Sequence, residues 1–190
     1  MSNRVIIGLS GSMGSGKSTA AAYITEKYGF VEYSFAKPLK DITMIMGFDW
    51  HQVYGTQEQK LEVNKMWGVS GREFLQKFGT EVCREILPSI LPKTNFGFYS
   101  IWIRLFEKYC ADNPNTNIVV SDVRFSDEAN FISSLGGHII QIDRNQLGQN
   151  VLTHKSEIPI PERYVTSKIV NDQTVADLYN NIDSIVNLLL

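Results

Sequence analysis

Gly11-Ser-Met-Gly-Ser-Gly16-Lys17-Ser18 is a full match to the pattern GxxxxGK[ST], and it follows a short apolar run, Val5 to Leu9. Each residue type in it has a chemical reason. Glycines let backbone amides turn inward and approach phosphate oxygens, which a Cβ would obstruct. The helix opening behind the loop adds the positive end of its dipole to the same anion. Lys17 is then expected to reach the β- and γ-phosphates, and Ser18 to ligate Mg²⁺. Gly11, Ser12, Met13, Gly14, Ser15, Gly16, Lys17, Ser18 and Thr19 together are expected to form a nucleoside triphosphate site. The bland alternative is a glycine-rich turn with an exposed lysine.

Asp122 closes the apolar stretch Asn117 to Asp122, where packing explains an acid poorly. It is expected to hold Mg²⁺ or its waters, against the alternative of a satisfied strand-end acid. Arg124 lies two residues further on the same loop, placed to face a transferring phosphoryl group; the alternative is a surface arginine paired with Asp127 or Glu128. Arg72 falls in the first turn of a helix whose start is marked by Ser70 and Glu73, a capping-box spacing. A cation there opposes the helix dipole by about 0.3–1 kcal/mol, a conflict that a bound phosphate would remove. Arg144 follows the fourth expected strand and stands where a closing arginine would sit.

Other triphosphate-using classes lack their marks. Asn64-Lys-Met-Trp67 keeps only the first two letters of a guanine-reading NKxD, and Asp122-Val-Arg-Phe125 is not a DxxG switch. The chain is too short for a motor or helicase core. A small-molecule kinase is the class left standing.

The elements that must position these residues alternate between strand and helix. Strands are expected over Arg4–Leu9, Phe30–Phe35, Asn117–Asp122, His138–Ile142 and Lys168–Val170. A helix runs from Lys17 to about Tyr28 and stops at Gly29. A mostly helical stretch extends from Lys37 to about Arg84, broken at Gly47, Gly55 and Gly68, with Phe74, Leu75, Phe78, Val82 and Ile86 on one apolar face. Further helices are expected around Ile101–Tyr109, from Ser126 to Gly136, and at the end, where Val175, Leu178, Ile182, Ile185 and Val186 share a stripe. This order implies an α/β fold with a parallel sheet, right-handed crossovers and ligands at the carboxyl ends of the strands. Residues 144 to 163 are polar, contain Pro159 and Pro161, and read as a mobile excursion.

Composition sets the outer limits. With 190 residues, 43% hydrophobic, and 18 basic against 20 acidic residues, the chain reads as one globular domain of net charge −2. That balance argues against a protein that wraps nucleic acid. Two cysteines without a CxxC pair suit a reducing interior. No leader and no membrane-length apolar window is evident, so a cytoplasmic location is expected.

Several segments, taken in order, carry a resemblance. They are Phe35-Ala-Lys-Pro-Leu-Lys40, Tyr54-Gly55 with Lys60, and Ser70-Gly-Arg-Glu-Phe-Leu-Gln-Lys-Phe-Gly-Thr-Glu81. Asp122-Val-Arg-Phe125, His154-Lys-Ser-Glu157 and Asn171-Asp172 follow. With the glycine loop they resemble the phage-type deoxynucleoside monophosphate kinases, within the P-loop nucleoside monophosphate kinase superfamily. The resemblance covers about residues 4 to 180. Lys37 and Gly71 depart from it, at positions that are often acidic and often proline.

The resemblance implies a three-layer sandwich with a five-stranded parallel sheet, a helical substrate-binding region and a short lid. Within one kinase domain of 1–190 the core would comprise 1–35, 115–143 and 164–190, the substrate region about 36–112, and the lid about 144–163. It implies transfer from ATP, with Mg²⁺, to a deoxynucleoside monophosphate (dNMP), in the cytoplasm of a phage-infected bacterium. Lys17, Arg124, Asp122 and Arg144 would be catalytic. Asn171 and Asp172 would lie near adenine, and Phe35, Ala36, Lys40, Arg72, Trp102 and Arg124 would bind the dNMP. Among Phe35, Trp67, Trp102 and Phe125 one could stack on the base, though core packing explains each more simply.

Rival readings are a phosphomevalonate- or dephospho-coenzyme-A-type kinase and a nucleotide-binding switch without catalysis. Base preference, discrimination of ribose, and the roles of His154, Ser156 and Glu157 stay open at this level. Leu188-Leu-Leu190 either finishes the core or joins a second copy in a homodimer.

Overall fold

The structure is a computed structural model and describes residues 4–91, 100–144 and 158–190. The chain divides into two compact units, one of Met1–Ser34 with Glu107–Leu190, the other of Phe35–Phe106. Most of the expected lid, including His154, Ser156 and Glu157, lies outside the described residues.

The first unit holds the sheet. Its strands are β1 (Ile6–Ser10), β2 (Val31–Tyr33), β3 (Ile118–Val120), β4 (His138–Asp143) and β5 (Ser167–Val170), in the order β2-β3-β1-β4-β5. Every pairing is parallel; Gly8 lies beside Val120 on one side and Ile139 on the other. β1 and β3 are buried along their whole length, as continuous apolar runs require. β1 sends its side chains alternately to two helical layers. Ile7 and Leu9 enter a core with Ala20, Ala21 and Ile24 of α1 (Lys17–Tyr28) and with Leu178, Ile182 and Val186 of α9 (Val175–Leu189). Gly8 faces the opposite way, where a Cβ would lie 2.9 Å from Val123 Cγ2 and 3.1 Å from Ile132 Cδ1 of α8 (Ser126–Ser134). Each fully buried aliphatic side chain of this kind contributes about 1.5–3 kcal/mol. The unit is a three-layer α/β sandwich, and the chain reverses direction across the sheet at β1, from whose carboxyl end the glycine loop departs.

Element ends differ in places from the sequence expectation. α1 stops at Gly29 as expected, with φ 71° and its amide on the Thr25 carbonyl at 3.1 Å. β2 is shorter than Phe30–Phe35, because Phe30 turns into the core and Phe35 already caps the next helix. β3 ends at Val120, so Asp122 stands in the turn beyond the strand and not at its last position.

The second unit is helical. It contains α2 (Ala36–Ile45), α3 (Trp50–Tyr54), α4 (Gln57–Leu61), α5 (Gly71–Lys77) and α6 (Leu87–Ile90). α7 (Ile101–Asp112) begins in it and buries Trp102, Ile103 and Phe106 there. Ser70 Oγ accepts from the Glu73 amide at 3.2 Å, which is half of the expected capping box; the Glu73 carboxylate pairs with Lys77 at 2.8 Å. Gly71 packs on the backbone of α3, where a Cβ would lie 2.2 Å from the Gln52 carbonyl oxygen. That contact accounts for glycine at this departure from the family pattern. Lys37 forms an exposed pair with Asp41, one turn on, at 2.8 Å.

Between α5 and α6 the winding is not α-helical. Phe78–Ile86 forms nine residues of π-helix, a form seen mostly as single-turn bulges. The Gly79 carbonyl accepts from Trp102 Nε1 at 3.1 Å, and a Cβ on Gly79 would lie 2.5 Å from Leu39 Cδ2. Ile86, expected on the apolar face, ends this segment 52% exposed.

Candidate active site

The loop after β1 has the backbone its glycines predict. Gly11, Gly14 and Gly16 have φ of 135°, 79° and 109°, in the region that other residues avoid. At Gly11 the constraint is also one of space, since a Cβ would lie 2.1 Å from the Ile142 carbonyl oxygen of β4. Ser12, Met13, Gly14, Ser18 and Thr19 are exposed, while Ser15 is fully buried. The Ser15 hydroxyl has no hydrogen-bond partner among the described residues. Lys17 opens α1 and folds over the loop, its Nζ donating to the carbonyls of Gly11 at 2.9 Å and Ser12 at 2.6 Å.

Three of the expected residues lie near enough here for their charges to act on one another. Burial brings the Lys17 ammonium down from 10.5 to about 8, helped by the nearby Arg124 charge and opposed by Asp122. Asp122 is 9% exposed and accepts from Ser34 Oγ at 2.8 Å. Burial and the charge of Asp122 push the Tyr33 phenol upward. Arg124 is exposed on the same loop. The Ser126 region begins a helix as expected, but Glu128 does more than mark it. Glu128 is 2% exposed, and its Oε2 accepts from the backbone amides of Arg124 at 2.8 Å and Phe125 at 3.1 Å. The acid four residues after Arg124 was a visible signal; its burial was not.

On the far side of β1, Asn171 braces the loop. Its Nδ2 donates to the Ser15 carbonyl at 2.9 Å, and its amide to the Asp143 carbonyl at 2.8 Å. Asp172 follows it, half-buried. A groove of about 260 Å³ runs along this edge, with Asn171, Gln173, Asp177 and Asn181 among its lining. Arg144 lies exposed one residue beyond β4.

In the helical unit the expected nucleotide ligands occupy different environments. Lys40 Nζ stands 4.8 Å over the Tyr54 ring, and Arg72 Nη1 donates to Gln57 Oε1 at 3.2 Å. Ala36 is half-buried at the start of α2. Phe35 and Trp102 are core residues: Phe35 is 5% exposed and meets Phe106 edge-on at 5.4 Å, and Trp102 is 4% exposed with its indole N–H on Gly79. Neither offers a ring face for stacking. Trp67 is 44% exposed and hydrogen-bonds the Met46 carbonyl at 2.7 Å. Phe125 is half-buried.

This arrangement can hold a polyphosphate on a glycine-rich loop beside two cations and one carboxylate. No helix among the described residues is long and apolar enough to cross a membrane. The family model described as deoxynucleotide monophosphate kinase matches residues 43–182. A protein of Acanthamoeba polyphaga mimivirus, named a candidate deoxynucleotide monophosphate kinase, is 40% identical over 189 residues, covering 96% of each chain. The deoxynucleoside-5'-monophosphate kinase of Escherichia phage T5 is 23% identical over 237 residues, covering 88% of this chain and 89% of its own. Among solved structures, the dephospho-CoA kinase of Campylobacter jejuni aligns over 98% of this chain and 96% of its own, with a TM-score of 0.52 and 19% identity, a likeness of fold. The chain belongs to the deoxynucleotide monophosphate kinase family.

Proposed function

We propose that the protein transfers the γ-phosphoryl group of ATP to a deoxynucleoside 5'-monophosphate, yielding ADP and the deoxynucleoside diphosphate. The observation that carries this reading is the left-handed glycine loop with Lys17 folded over it and within reach of the charges of Arg124 and Asp122, in a chain of this family. The acceptor phosphate is already ionised, so the chemistry needs no general base. Catalysis then rests on positioning and on stabilising charge in an in-line transfer.

Lys17 and the loop from Gly11 to Thr19 bind the ATP phosphates in this reading, and Arg124 neutralises charge on the transferring group. The exposed Ser18 at the first turn of α1 and the Asp122 carboxylate make an oxygen donor set suited to Mg²⁺. Bound there, the ion would neutralise phosphate charge. Asn171 serves ATP by holding the loop, and Asp172 with the adjoining groove receives the nucleoside end. Lys40 and Arg72 are assigned to the monophosphate, and Arg144 to closure over the phosphates.

The test is ADP release with each dNMP, each ribonucleotide monophosphate, phosphomevalonate and dephospho-coenzyme A offered in turn. Stimulation by one or more dNMPs is expected. Turnover driven only by a non-nucleotide acceptor, or ATP binding without any acceptor-dependent ADP, would sink the reading.

A further inference from the structure

We propose that Glu128 is a positioning residue for the transfer, its buried carboxylate holding the loop that presents Arg124. The inference rests on the reading of Arg124 as a phosphate ligand. A glutamate at the third position of a helix ordinarily reaches back to the amide just before the first turn. Glu128 does this at Phe125, at 3.1 Å, and then reaches one residue further to the Arg124 amide, at 2.8 Å. It does so from a position 2% exposed, where water competes little for the carboxylate.

The rest of the loop is tied as firmly. The Ser121 amide donates to the Tyr33 carbonyl at 3.0 Å, the Val123 amide donates to the Leu9 carbonyl at 3.0 Å, and Ser34 holds the Asp122 carboxylate. Glu128 completes this series at Arg124, an exposed residue on the loop beyond β3. A flexible arginine set on a fixed backbone meets a developing charge with less reorganisation than one on a loose loop. The carboxylate touches no reacting atom in this account and works through Arg124.

A double-mutant cycle separates this from a general structural role. Glu128→Ala is expected to lower kcat about tenfold or more, with KM for ATP changed by no more than about threefold. Glu128→Ala combined with Arg124→Ala is expected to be no more than about twofold slower than Arg124→Ala alone, because the two act as one unit. Glu128→Gln, with a neutral acceptor of the same length, is expected to lose about threefold to fivefold in kcat, and to lose nothing further in the Arg124→Ala background. Should Glu128→Ala fail to fold, the same cycle is run with Glu128→Gln. Losses that multiply in either cycle, or wild-type turnover in Glu128→Gln, would overturn the proposal. Normal turnover in Arg124→Ala itself would instead overturn the reading of Arg124, and the inference with it.

Discussion

The Asn171 carboxamide occupies the space that a side chain at Gly16 would need. A Cβ on Gly16 would lie 2.5 Å from Asn171 Nδ2, the same atom that donates to the Ser15 carbonyl at 2.9 Å. One glycine therefore meets two demands, a φ of 109° and a close approach by a neighbouring loop. The phosphate loop is braced from outside its own motif.

That brace can be removed alone. Asn171→Ala deletes one hydrogen bond, and loss of about 1 kcal/mol in loop order should weaken MgATP binding about threefold to tenfold. Isothermal titration calorimetry reads this directly. Gly16→Ala should weaken binding more, and combining it with Asn171→Gly should fail to restore affinity, because the positive φ stays strained once the space is freed.

Lys17 links nucleotide binding to pH. Its folded value of about 8 lies below the ordinary 10.5, so keeping it charged opposes folding. That unfavourable contribution is complete below about pH 8 and disappears as the pH rises towards 10.5, where the unfolded chain also loses the proton. Lys17→Met is therefore expected to be more stable than the wild type at pH 7, with the gap closing above pH 8 in denaturant titrations. Triphosphate binding should return the proton to Lys17. Calorimetry in two buffers of different ionisation enthalpy should show net proton uptake near pH 9, absent in Lys17→Met.

Lys17, Arg124 and Asp122 should separate kinetically. Arg124→Ala and Lys17→Ala are each expected to lower kcat about a hundredfold or more, with the fold retained by circular dichroism. For Arg124→Ala the ATP dissociation constant should move by less than about fivefold, since its contribution falls mainly on the transition state. Asp122→Asn should raise the Mg²⁺ concentration needed for half-maximal rate about tenfold, read from a metal titration at saturating ATP.

The π-helical segment makes a stability prediction. Trp102→Phe leaves the buried Gly79 carbonyl without its indole donor and should cost about 1–3 kcal/mol in chemical denaturation. Gly79→Ala forces the added methyl against Leu39 and should destabilise by about 1–3 kcal/mol.

Local chemistry wrote much of this fold into the chain. The positive φ angles of the loop from Gly11 to Ser18 call for glycine through local sterics, and Gly29 ends α1 for the same reason. The buried runs of β1 and β3, and the stripe of α9, follow from periods set by the backbone. These features depend on neighbours a few residues away, so they can be read in order.

What only the tertiary structure decided depends on residues far apart in the chain. Glu128 looks like an ordinary helix-start acid until β1 and β2 tie down the loop before it. Asn171 meets Ser15 across 156 positions, and no spacing rule reports that contact. Trp102 and Phe35 were candidate stacking surfaces until packing buried them. The winding from Phe78 to Ile86 coincides with a carbonyl bonded to an indole 23 residues away. Short-range sterics and periodicity select the elements. Burial and partner choice follow from the whole packed unit, and they decide which polar groups brace the site.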